Sequence, residues 1–480
     1  MSRSVAVAYA SDYFDSGAFL SDLARRVAFP TESAVPARSD DLRDYLEQEM
    51  VPAAVRLGAT ARVLDNPGSG GPLLIARRHE GDGLPTVLTY GHADVVPAEP
   101  GRWRPGLDPW QVTVERDRWY GRGTADNKGQ HTINLAALEQ VMRARGGRLG
   151  FNVAILIETS EECGSPGLSQ FCAEHRDELA ADLMIASDGP RVAAAQPTVF
   201  LGSRGAAGFT LRVALRDRSY HSGNWGGLLR NPATVLASAI ACLVDGRGQI
   251  LVPALRTQPI PDSVRDALSV ITVGASPGDP DIDQDWGQPG LTPAERAIAG
   301  NTLEVLSLAG GNPATPVNAI PGEAHAHCQL RFAVGTDISA MPAALRAHLD
   351  RHGFGMVTVE PGHVMNASRT DPDHPWVRFA LASLERTEGI RPALLPNIGG
   401  GLPNDVFTDQ LGMPTIWIPH SYPACAQHAP DEHLLASLAR QALRLMAALF
   451  WDIGECPLRI RASLAPPSRS PTSPGPRPHG

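Results

Sequence analysis

The sequence predicts an α/β protein whose mostly parallel sheet is interrupted by a second, smaller α+β unit. Three observations carry that prediction. Four short apolar runs, PLLIARR, PTVLTYGH, FNVAILIE and DLMIASD, have the length and composition of buried strands, and helical stretches fall between the later ones. The character of the chain changes near Ser203, where alternating segments such as FTLRVALRD and AHAHCQLRFAV begin. After Thr370 the α/β pattern returns in PTIWIPH and the helical stretches around it.

In chain order, Tyr13 to Leu57 carries helical spacing, with Leu20, Leu23, Val27, Leu42, Leu46 and Val51 on inward faces. Helices are expected over Gly129–Ala144 and Gly167–Leu179, between the second and third and the third and fourth runs. In the middle of the chain, Asn231–Leu243 reads as an apolar helix, and residues 250–312 form a Pro/Gly/Asp-rich stretch with little periodicity. A helix over Ile338–Leu349 and a strand over Gly355–Glu360 follow. The last part holds helices over Trp376–Thr387 and Glu432–Phe450. These elements divide the chain into 1–202 and 371–460, forming one domain, and an inserted domain at 203–370. The tail, 461–480, is rich in Pro and Ser and is expected to be disordered.

At 480 residues the chain is too long for one ordinary core. A net charge of −9 argues against nucleic acid or an anionic membrane as partner. Six scattered cysteines with no CxxC pair, and no apolar run of 18 residues, fit a cytoplasmic, soluble protein.

Polar residues gather where the apolar runs end, the place where open α/β sheets bind ligands. His92 follows PTVLTYG, and Asp94 two residues on could hold its imidazole in one tautomer; alone, that histidine reads as structural. Tyr120–Gly129, YGRGTADNKG, lacks the spacing of a phosphate loop and offers Asp126 as a ligand or simply enters a helix. Glu158, Glu161 and Glu162 end the third run, where they form a solvated turn or surround a cation. Asp188 ends the fourth, and His428 opens HAPDE, which alone reads as a helix start. Taken jointly, two histidines and several carboxylates are the donor set expected for zinc with carboxylate bridging.

The segments GHADVVP, YGRGTADNKG, ETSEECGS, SDG and HAPDE, in this order, resemble the dizinc aminoacylase/carnosinase/succinyl-diaminopimelate desuccinylase/carboxypeptidase G superfamily. SRGAAGFTLRVALRDRSYHSGNWGGLLRNP looks most like the carnosinase-like cytosolic dipeptidase branch. The resemblance implies a zinc-peptidase catalytic domain with an inserted ferredoxin-like lid that also makes a homodimer. It implies two Zn2+ ions per subunit, in a ligand set that Co2+ or Mn2+ could also occupy. His92, Asp126 and Asp188 would hold one ion, and Asp126, Glu162 and His428 the other. Glu161 would be the general base, Asp94 the partner of His92, and the bond after Asp126 cis. His221 would reach the partner subunit's site, Asn318 and Arg331 would grip the substrate carboxylate, and Gly400 and Gly401 would face the substrate. The implied reaction is hydrolysis of a peptide or amide bond next to a free carboxylate, in a small peptide. Deacylation of an N-acyl amino acid uses the same site, and an inactive zinc-binding regulatory homologue is the reading from a different class. The chain departs from the family at Thr159, where Gly is usual, and at Asp431, where Asn is more common. Residues 250–312 have no counterpart that aligns.

Overall fold

In the computed structural model, residues 2–274 and 280–456 are described. The predicted tail therefore lies outside the described residues. The large sheet is made by β1 (Thr60–Leu64), β2 (Leu73–Arg78), β3 (Thr86–His92), β4 (Asn152–Glu158), β5 (Leu183–Ala186) and β6 (Thr198–Phe200), joined late in the chain by β11 (Ala393–Leu395) and β12 (Thr415–Trp417). Its order is β1-β2-β4-β3-β5-β12-β6-β11. The central run β4-β3-β5-β12 is parallel, and β4 is buried at every residue, as a strand covered on both faces must be. One face is covered by helices Arg3–Asp15, Lys128–Ala144, Pro375–Glu388 and Ala436–Gly454, the other by Leu168–Glu174 and the turn Val406–Leu411.

A second sheet comes from the middle of the chain: β7 (Gly205–Ala214), β8 (Thr302–Ala309), β9 (Glu323–Phe332) and β10 (Thr358–Met365). It is antiparallel throughout, in the order β8-β9-β7-β10. With helix Pro232–Leu243 after β7 and helix Met341–Arg351 after β9, the sequence of elements is βαββαβ, the ferredoxin-like arrangement. Alternate residues of β9 are buried, and they build a core separate from that of the large sheet. The expected α/β fold with an α+β insertion is what the structure contains.

Several local expectations need correction. β8 lies inside the stretch read as having little periodicity. It is an edge strand, so Val305, Leu306 and Leu308 stay exposed and no alternation marks it. The helix expected over Gly167–Leu179 is two pieces, Leu168–Glu174 and Arg176–Leu179. The strand expected at Gly355–Glu360 runs instead from Thr358 to Met365. Helix Arg3–Asp15 was not foreseen. The last helix begins at Ala436, not Glu432, because Glu432 is taken up elsewhere. Among the described residues no helix is long and apolar enough to cross a membrane.

Candidate metal centre

The parallel register of the large sheet assembles the site. β3 and β4 pair so that His92 lies opposite Glu158, and both end at the same edge. The turn Glu161–Cys163 follows β4 directly, and Asp188 follows β5, so three consecutive parallel strands deliver their polar termini together. Asp126 arrives from the glycine-containing loop before helix Lys128–Ala144, and its peptide bond to Asn127 is cis, as the resemblance implied. His428 comes from the loop before the last helix, in the left-handed region at φ 59°.

Two groups of ligand atoms result, His92/Asp126/Asp188 and Asp126/Glu162/His428, with the atoms of each group within 4.8 Å of one another. Asp126 belongs to both. Its Oδ1 lies 3.0 Å from His92 Nε2, and its Oδ2 lies 2.9 Å from His428 Nε2. His428 Nε2 is 3.1 Å from Glu162, and His92 Nε2 is 3.6 Å from Asp188. Asp94 is buried behind them. Its two oxygens accept the backbone N–H groups of Glu161 (3.2 Å) and Glu162 (3.1 Å), while Oδ1 stands 3.4 Å from His92 Nδ1.

Burial and mutual repulsion raise most of the carboxylates of this arrangement, and the carboxylates raise both histidines. Burial and the neighbouring carboxylates push Asp188 up to about 7, and Glu162 and Glu161 are pushed up by the same causes, Glu161 well above the usual range. Hydrogen bonds to Asp126 and Glu162 raise His428 to about 10. Burial disfavours a charged His92, but Asp126, Asp94 and Asp188 outweigh it and hold its pKa well above the ordinary value. Oxygen and imidazole donors gathered around shared negative charge fit a pair of divalent ions, and no thiol belongs to either group among the described residues.

Around these groups lie two cavities that share Glu161 and Gly401. One, of about 540 Å³, also touches Asp126, Asp188, Gly400 and His428. The other, of about 350 Å³, contains Arg331, Gln329, His363 and Glu162. Arg331 is half-buried and donates to Gln329 (2.9 Å). At Gly401 an added Cβ would meet the flexible end of Met365, which would have to shift to admit it. His221 and Asn318 are brought together by the short ladder Tyr220–His221/Ala319–Ile320, but both are exposed, and neither lines these cavities.

The sequence did not point to Arg122, Gln427 or Glu432. Glu432 is fully buried; Oε1 accepts the backbone N–H groups of Gly123 (3.1 Å), Ala125 (2.9 Å) and Asp126 (3.0 Å), and Oε2 accepts Arg122 Nη1 (2.7 Å). Gln427 donates to Asp126 Oδ2. The adjacent Asp-Glu of HAPDE was the available signal, and it resembled a helix start too closely to be separated from one.

Residues 88–452 match the family model described as Peptidase family M20/M25/M40. The chain belongs to this family. Among curated relatives it is 29% identical to the Beta-Ala-His dipeptidase of Mus musculus, over 63% of this chain and 62% of that protein. It is 28% identical to the Cysteinylglycine-S-conjugate dipeptidase of Corynebacterium striatum, over 66% of this chain and 70% of the relative. The chain spans about 62%, 51% and 38% of the three mammalian Beta-Ala-His dipeptidases it matches. The fold is that of human carnosine dipeptidase 1, at a TM-score of 0.72 and 23% identity, covering 94% of this chain and 99% of that one. It is equally that of an M20 metallo-carboxypeptidase from Sulfolobus solfataricus, at a TM-score of 0.74 and 23% identity over 91% and 99% of the two chains.

Proposed function

We propose that this M20 chain is a dizinc dipeptidase or carboxypeptidase-like metallopeptidase, with Glu161 as its general base. The observation that carries the reading is the placement of Asp126, one oxygen toward each histidine, with Glu161 outside both ligand groups yet lining the same cavity. His92, Asp126 and Asp188 would hold one ion, and Asp126, Glu162 and His428 the other. Bound divalent ions would polarise the scissile carbonyl and acidify the attacking water. Glu161 takes the proton that the water loses as it adds to the carbonyl carbon. It then delivers that proton to the amine nitrogen as the C–N bond breaks. The guanidinium of Arg331, across Glu161 from the larger cavity, is suited to pair the free carboxylate bidentately. The names of the relatives favour dipeptides over N-acyl amino acids as substrates.

Residues 1–202 and 371–460 would form the catalytic domain, and 203–370 the lid and homodimer contact. Support for the dimer comes from β8, an edge strand with Leu306 and Leu308 exposed. Joining two copies there would let His221 and Asn318 act in the partner's site. The reading is tested by Glu161→Gln, assayed on dipeptides with metal content measured in parallel. Turnover should fall ~10²–10⁴-fold with both ions retained. Near-normal turnover would exclude Glu161 as the base.

A further inference from the structure

The two cavities meeting at Glu161 differ in chemistry, and the difference points to the residue on the amino side of the bond. We infer that the larger cavity selects a dipeptide whose N-terminal side chain is apolar, with Ile298 and Ile398 as specificity-determining residues. This rests on the proposed dipeptidase reading, which puts the substrate carboxylate on the Arg331 side of Glu161. The N-terminal residue must then occupy the other side, a cavity of about 540 Å³ walled by Val192, Ile298, Leu395, Ile398 and Leu402.

The carboxylates lining that cavity are Asp126 and Asp188, which belong to the candidate ligand groups, and Glu161, the proposed base, so among the described residues none is left for the ammonium of a lysine side chain. The remaining charge is Arg191. Its guanidinium is buried and donates to the carbonyls of Pro419 (3.2 Å) and Ala194 (3.2 Å) and to Gln441 (2.6 Å), with no carboxylate in ion-pair range among the described residues. A second cation entering beside it would be repelled, and an uncompensated charge is expensive in an apolar enclosure.

Ile298 comes from the stretch that the family resemblance could not align. It sits in the turn Glu295–Ala299, within a small core of its own with Ile260, Val264 and Leu268, and Leu395 packs against that core. This segment therefore contributes an apolar side chain, Ile298, to the cavity wall. The Ile398 side chain lies beside the glycine turn, 3.8 Å from where a Cβ on Gly400 would stand.

The test compares kcat/KM of the full, metal-loaded protein on Leu-Gly, Phe-Gly, Gly-Gly and Lys-Gly, which share one carboxyl end. Leu-Gly and Phe-Gly should exceed the other two at least tenfold, the scale on which apolar pockets discriminate. Ile298→Ala and Ile398→Ser should each lower the Leu-Gly to Gly-Gly ratio at least fivefold, and Ile398, half-buried in a loop, provides the test should the Ile298 variant misfold. Ile298→Asp should raise Lys-Gly relative to Leu-Gly. If Lys-Gly matches Leu-Gly, or if the ratio ignores both variants, this inference is overturned while the dipeptidase reading stands. Failure to cleave any dipeptide would overturn both.

Discussion

Glu432→Gln separates the chain's own contribution to the site from that of the ions. Both Glu432 and Arg122 are 1% exposed and 2.7 Å apart. Burial pushes the Glu432 carboxyl up while Arg122 pulls it down, and with four N–H donors aimed at it only the ionised form satisfies them all. Glutamine keeps one oxygen for the three backbone donors but turns an NH2 toward the guanidinium. Arg122 would keep a 3.4 Å contact to the Pro97 carbonyl and its place over the Trp103 ring, 5.8 Å from the centroid, but no carboxylate, and its Nε has no hydrogen-bond partner among the described residues. Leaving a buried charge unpaired costs ~3–5 kcal/mol. Because Glu432 also fixes the amide of Asp126, metal affinity should weaken ~10–100-fold, as when other partners behind a ligand are removed. Urea unfolding and competition with a chromophoric chelator measure the two effects. The double variant Arg122→Met/Glu432→Gln removes the stranded cation and should recover at least ~1 kcal/mol of the loss. Stability within ~0.5 kcal/mol of wild type, together with unchanged metal affinity, would refute this account of how the loop is held.

Other expectations follow from the same geometry. Arg331→Met should reduce kcat/KM ~10–100-fold through the loss of a charge-assisted contact, with metal content unchanged; an unaltered kcat/KM would remove Arg331 from substrate binding. His420 is buried between Ser187 (2.9 Å) and Asn134 (3.2 Å), and burial, followed by Arg191, holds its pKa well below 6.5. It stays neutral when folded but takes a proton when unfolded, so its contribution is present above pH 6.5 and lost as pH falls. Metal-free protein should lose ~1.4 kcal/mol per pH unit from this residue below about pH 6. Urea unfolding at pH 7.5 and 5.5 should show a correspondingly shallower loss in His420→Gln. Leu306→Glu/Leu308→Glu should yield monomers in light scattering after gel filtration, and a persistent dimer would place the contact elsewhere.

How much was legible in the sequence depended on whether a residue's setting is local. β3, β4 and β5 are continuous apolar runs, so their ends, and with them His92, Glu158 and Asp188, could be located from the chain alone. Helix Arg3–Asp15 could not. Its apolar residues run together as VAVAYA without spacing, only Ala6 and Ala10 are buried, and its anchor is an ion pair between Arg3 and Asp452 across 449 residues. β8 was hidden because an edge strand with exposed Leu306 and Leu308 obeys no inside-outside alternation. Glu432 was misread for a third reason: its partners are backbone amides of a loop some 306 to 309 residues away, and no property of HAPDE announces them.

One buried carboxylate sets the position of the proposed base relative to the candidate ligands. Asp94 stands two residues after His92 and faces its ring, and the same two oxygens hold the amides of Glu161 and Glu162. His92, Glu162 and the proposed base Glu161 are thus tied to a three-residue span at the end of β3. Asp126 makes the complementary link, dividing its oxygens between His92 and His428 while Glu432 fixes its amide. Asp94 and Glu432 hold these groups through contacts that need no ion, so the proposed cations would enter a frame already spaced for them. Such preorganisation matters most for a proton carrier, since a donor displaced by an ångström forfeits much of its effect. Deep burial of Asp94 and Glu432 follows from this role: in a low-dielectric interior their hydrogen bonds are strong, and water cannot compete for the amides they hold.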